Sequence, residues 1–132
     1  FPADFTKNRR LHVLPYGEQV ADILNNLPEH VGSDFVFPGR KPGASHFNSW
    51  SKSKRAFDAT LKGVEPYVLH DLRRTYSSTL AQLGTPIHVT EKLLNHVSGT
   101  ISGVAAIYNR HSYLDEMREA VERFEEYLSK AR

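Results

Sequence analysis

The stretch "HDLRRT", residues 70–75, places a histidine and two arginines at the start of a predicted helix. His70 and Arg73 are three residues apart and therefore share a helical face. The guanidinium of Arg73 is a planar fork of donors, which suits a phosphate better than a lysine ammonium does. A helix N-terminus adds backbone N–H groups and the positive end of the peptide dipole. The chemistry these residue types fit is the holding of a phosphate. Three further pieces carry reactive groups: "TKNRRLHVLP" (6–15) with Lys7, "LLNH" (93–96) with His96, and "AIYNRH" (106–111) with Tyr108. Each has a plainer role when taken singly. His70 is then a helix-start residue bonded to backbone and Arg73 a surface ion-pair partner. Tyr108 is a core tyrosine with its hydroxyl at the surface, His96 a histidine favouring a helix C-terminus, and Lys7 a turn lysine.

The elements that must position these groups follow from hydrophobic periodicity. Residues 1–16 predict a small antiparallel β-hairpin, with Phe1–Phe5 and Leu11–Leu14 on either side of the polar turn "TKNRR". Residues 18–27 put Val20, Ile23, Leu24 and Leu27 on one helical face, and Pro28 stops the helix. "FVF" (35–37) predicts a short buried strand, followed by the basic loop "PGRKPGAS". Residues 46–61 predict a helix with Phe47, Trp50, Phe57 and Leu61 inward and Lys52, Lys54 and Arg55 solvated. The clearest helix covers 70–83, with Asp71 as N-cap, Leu72, Tyr76, Leu80 and Leu83 on one side, and Gly84 at its end. Pro86 opens another helix, "PIHVTEKLLNHV", as a first-turn proline can. After the connector "SGTISG", "VAAIYNRH" predicts a short helix. Residues 114–130 predict an amphipathic one, carrying Leu114, Met117, Val121, Phe124 and Leu128. The expected fold is mainly α, in the α+β class: a helical domain with a small N-terminal β-hairpin, one domain over residues 1–132.

The four motifs, in this order and spacing, resemble the tyrosine recombinase or phage integrase family over nearly the whole chain, most closely the integrases of prophages and integrative islands. The resemblance implies a helical catalytic domain that cleaves and rejoins DNA through a 3′-phosphotyrosyl link. Tyr108 matches the nucleophile, Arg73 the second of two phosphate-clamping arginines, and His70 the hydrogen-bonding and proton-transfer histidine. His96 matches a second histidine that bonds the phosphate, and Lys7 the hairpin lysine that protonates the leaving 5′-hydroxyl. Double-stranded DNA is the implied partner, with a homo-oligomer on it, tetrameric in the family, and no cofactor or metal. Arg9, Arg10, Arg40, Lys41, Arg74 and Arg110 are candidate DNA contacts. Two departures stand out. The family's other clamping arginine lies upstream of the hairpin lysine, and nothing basic precedes Lys7 here. The twelve residues from His96 to Tyr108 also exceed the spacing in many relatives. The chain starts at Phe1 and its single methionine is Met117. A truncated catalytic domain, a poor catalyst by itself, is therefore the expectation.

Composition bounds the alternatives. A chain of 132 residues with 39% hydrophobic and 24% charged side chains suits one globular domain. With no cysteine, disulfides and thiolate metal sites are excluded, which fits a cytoplasmic setting. No apolar run reaches membrane-span length, and no secretory signal pattern opens the chain. Residues 114–132 hold four basic and six acidic side chains, a net of −2, so residues 1–113 carry +4 against the overall +2. A basic body can gather phosphate backbone, though an ordinary solvated surface accounts for charge alone equally well. A type IB topoisomerase shares the catalytic residues. A non-catalytic DNA-binding module is the third reading: residues 70–96 loosely resemble a helix-turn-helix, with His88, Thr90, Glu91 and Lys92 as base-reading candidates. A metal site from His70, His88, His96 and His111 has none of the usual ligand spacings.

Overall fold

The computed structural model describes residues 1–39, 46–96 and 111–131. Among them are five α-helices: α1 (Glu18–Asn25), α2 (Trp50–Asp58), α3 (Leu69–Gln82), α4 (Ile87–Leu93) and α5 (Leu114–Lys130). Each stands where the sequence predicts one. The predicted "VAAIYNRH" helix lies outside the described residues, apart from His111. The chain divides into two compact units, Phe1–Asp22 with Val68–Arg132, and Ile23–Tyr67.

In the first unit α3, α4 and α5 pack pairwise. Their shared core is Leu80, Val89, Leu93, Met117, Ala120 and Val121. Tyr76 meets Phe124 edge to face, with ring centroids 4.6 Å apart, and burial pushes its phenol pKa up. Only the C-terminal half of α3 enters this core. Leu72, predicted inward, is 56% exposed, so the half of α3 that carries His70 and Arg73 stands clear of it.

Helix ends explain much of the local geometry. α3 begins one residue before the predicted start, so Asp71 is its third residue and not its N-cap. The Asp71 carboxylate accepts the Val68 N–H at 2.9 Å. That bond, helped by Arg74, holds the carboxyl below its usual pKa. At the other end Gly84 has φ +77°. Its N–H donates to the Ala81 carbonyl and the Thr85 N–H to that of Leu80, the paired bonds of a Schellman motif. α4 ends the same way around Asn95 (φ 53°): the Asn95 N–H donates to Lys92 and the His96 N–H to Glu91.

The predicted N-terminal β-hairpin does not form, and no β-strand occurs among the described residues. Ala3–Phe5 is a single 3-10 turn. Thr6 explains why: its hydroxyl donates toward the carbonyls of Ala3 and Arg10 and accepts the Arg10 N–H at 3.0 Å. The Asn8 side-chain oxygen accepts the same N–H at 3.1 Å. Side chains thus take backbone groups that a ladder would have used, and Pro2 has no N–H to offer one.

The start of α1 is capped from 106 residues away. The Glu125 carboxylate on α5 accepts the N–H groups of Gln19 (3.2 Å) and Val20 (3.4 Å). The Gln19 amide in turn donates to the Glu125 carbonyl and the Ser129 hydroxyl. Gly17 makes room for this, since a Cβ there would lie 2.2 Å from a Glu125 oxygen.

In the second unit "FVF" is not a buried strand: Phe35, Val36 and Phe37 are all exposed. An isolated antiparallel bridge joins Pro38 to His46. Trp50 and Phe57, predicted inward, are each more than half exposed, as is Ile23, while Val20 and Leu24 of the same predicted face are about two-fifths exposed. Periodicity identifies an apolar face but does not supply an element to cover it. Lys54, predicted solvated, is instead folded in. Its ammonium lies 2.7 Å from Asp58, donates to the Tyr67 carbonyl and sits 3.7 Å above the Tyr67 ring. An acid and an aromatic face compensate its partial desolvation.

Two stability measurements check this packing by denaturant unfolding. Leu80→Ala is expected to cost about 2–5 kcal/mol, whereas Leu72→Ala has little effect. Glu125→Ala is expected to cost roughly 1 kcal/mol, the loss of a helix cap; Glu126→Ala, which removes only an exposed pair with Lys130, serves as the near-silent control.

Candidate functional site

α4 is a short helix whose last carbonyls have no partners within the helix. Side chains from two distant segments supply them. The Arg73 guanidinium, reaching from α3, donates through Nη2 to the Leu94 carbonyl. The His12 imidazole interacts with the Leu93 carbonyl. Asn8 Nδ2 donates to Asn95 Oδ1 at 2.8 Å and reaches the Asn95 carbonyl at 3.5 Å. Two consecutive residues, Leu94 and Asn95, are therefore held from outside, at the negative end of the helix dipole.

This convergence brings together residues far apart in the chain. His96 follows Asn95 directly and is exposed. Lys7 precedes Asn8 directly and is exposed on the turn that Asn8 ties down. Arg73 is exposed too, and its partner is a neutral carbonyl, so that bond orients the guanidinium without cancelling its charge. His70 lies three residues before Arg73, in the first turn of α3, and is exposed. Burial, with the nearby positive charges of the Phe1 amine and Arg73, holds the His12 imidazole below its ordinary pKa. Exposed Lys7 and Arg73 make this end of the unit basic, a charge that favours a phosphate backbone.

The remaining sequence-predicted residues divide. Arg9 and Arg10 are exposed on the turn beside Lys7, with Arg9 in the left-handed region at φ 53°. Arg74 points elsewhere, pairing with Asp71 at 2.8 Å. Tyr108, Arg40, Lys41 and Arg110 lie outside the described residues.

Sequence reasoning missed Asn8, His12 and Asn95. One signal for Asn95 was available: asparagine tolerates the left-handed backbone of a residue that closes a helix. Nothing local marks Asn8 as its partner.

The α3–α4 pair makes a poor helix-turn-helix reader. Of the outward candidates, Thr90 is 6% exposed. The His88 ring packs against Tyr113 at 4.8 Å. Among the described residues no three histidine or acidic side chains could hold a metal, so His70, His88, His96 and His111 form no site. Nor is any described helix long and apolar enough to cross a membrane.

A model of the phage integrase family matches residues 4–115. The chain is 34% identical over 118 residues to the prophage integrase IntA of Escherichia coli, covering 89% of this chain and 28% of that protein. It is 28% identical over 128 residues to the prophage integrase IntS of the same organism, covering 96% of this chain and 32% of that protein. The chain thus spans about a third of the length of the curated relatives it matches. No solved structure matches it significantly. The family match covers most of the chain and includes "TKNRRLHVLP", "HDLRRT", "LLNH" and "AIYNRH", and on that ground the chain belongs to the phage integrase family of tyrosine recombinases.

Proposed function

We propose that this chain carries the catalytic residues of a site-specific DNA recombinase, which cleaves and rejoins double-stranded DNA through a 3′-phosphotyrosyl intermediate and acts as an oligomer on DNA. The observation that most supports this is the gathering of Arg73, the Lys7 turn and His96 around the end of α4.

In this reading the scissile phosphate sits against the Arg73 guanidinium and is bonded by His96. Arg73 stabilises the charge that builds on the pentacoordinate phosphorane. Tyr108 Oη attacks phosphorus and its proton passes toward His70. The new bond joins the tyrosine to the 3′ phosphate, and the phosphorus–5′-oxygen bond breaks. Lys7 Nζ gives a proton to the departing 5′ oxygen. The phosphotyrosyl link conserves the energy of the broken diester, so the reverse attack by a 5′-hydroxyl needs no ATP. Arg9 and Arg10 extend the cationic surface along the backbone, with Arg40, Lys41 and Arg110 as further contacts.

The test uses the protein expressed from its complete reading frame, with nicked duplexes drawn from the DNA flanking that frame. Tyr108→Phe is expected to abolish the covalent protein–DNA adduct seen on denaturing gels while DNA binding persists in mobility shifts. Binding that persists with no adduct from the unaltered protein would favour a non-catalytic module. Arg73→Ala is expected to lower the cleavage rate by about 10²–10³, the cost of removing a principal donor to the transition state. Arg73→Lys should recover little, because a point charge does not reproduce the fork.

A further inference from the structure

The turn that carries Lys7 is held by its own bonds. Thr6 and Asn8 close it internally, and the Arg9 N–H donates to the Thr6 carbonyl. Such a turn keeps its shape wherever it lies, so the placing of Lys7 depends on what ties it to the rest of the unit. Asn8 is used at both ends of its amide. Its oxygen accepts the Arg10 N–H at 3.1 Å, and its nitrogen donates to Asn95 Oδ1 at 2.8 Å, across 87 residues. Asn95 in turn is locked by the Schellman bonds that close α4, one residue before His96. Glycine is the ordinary occupant of such a left-handed position. Asparagine there keeps the backbone and adds an acceptor, which Asn8 fills.

We propose that the Asn8–Asn95 amide clasp is a positioning device for the reaction, holding the Lys7 turn against the end of α4 so that the Lys7 ammonium meets the 5′ oxygen of a phosphate bound by Arg73 and His96. The proposal rests on the recombinase reading above. Neither asparagine is a catalytic residue; both act through Lys7.

The clasp makes a chemical distinction that a purely structural role would not. An alcohol leaving group needs the proton from Lys7. A thiol, far more acidic, leaves as thiolate without one. A nicked duplex whose scissile 5′ oxygen is replaced by bridging sulfur therefore bypasses Lys7. The variants are Asn8→Ala and Asn95→Gly. The second keeps the left-handed backbone, which glycine adopts freely, and deletes only the acceptor. With the complete protein, both are expected to cleave the ordinary duplex roughly 10- to 100-fold more slowly, as misplacement of a reacting group costs. Both should cleave the sulfur-bridged duplex at nearly the unaltered rate, as Lys7→Ala should. An equal loss on both duplexes, or no loss on the ordinary one, overturns the clasp as a positioning device. Failure of sulfur to rescue Lys7→Ala removes the acid role of Lys7, and the clasp's role with it. Absence of any adduct from the unaltered protein on either duplex overturns the recombinase reading itself.

Discussion

The last turn of α4 presents carbonyl groups that no helical residue can satisfy, and the candidate site is arranged around that deficit. Leu93 anchors the turn from below, buried in the core with Leu80 and Met117. Asn95 closes it in the left-handed conformation. From outside, Arg73 and Asn8 reach two consecutive residues, Leu94 and Asn95. A backbone carbonyl fixes the direction of the Arg73 guanidinium and leaves its charge available. A carboxylate in the same place would neutralise it. The neighbouring arginine shows the contrast: Arg74 is paired to Asp71 and directed elsewhere.

The core beneath this turn is small, and its geometry divides α3 into a packed half and an exposed half. The half around Leu80 packs against α4 and α5, while the half with His70, Leu72 and Arg73 stands clear. One rigid helix can therefore be anchored by its C-terminal turns and present cationic groups from its N-terminal ones. The α5 helix does more than complete the core. Through Glu125 and Ser129 it also holds the beginning of α1. That makes the C-terminal helix a brace for two separate parts of its unit, one apolar and one polar.

The helices were legible in the sequence because apolar spacing and a first-turn proline such as Pro86 are local signals, and all five described helices fall where those signals predict. The reactive residue types were legible as well, since arginine, histidine and lysine in fixed motifs carry their chemistry wherever they lie. The hairpin prediction failed for an equally local reason that periodicity does not see. Thr6 and Asn8 offer hydrogen bonds to nearby backbone, and the short apolar runs on either side never form a ladder. The faces of α1 and α2 failed differently: Val20, Ile23, Trp50 and Phe57 are apolar in the right pattern, yet each stays at least 41% exposed among the described residues.

By itself, then, the sequence determined where helices form and the family to which the chain belongs. Tertiary structure alone decided which distant segments meet. The Asn8–Asn95 bond spans 87 residues and the Glu125 cap 106, and neither leaves a periodic trace. A hydrogen bond depends on the placement of two groups to within a fraction of an ångström, and only the packed helices bring those groups to that separation.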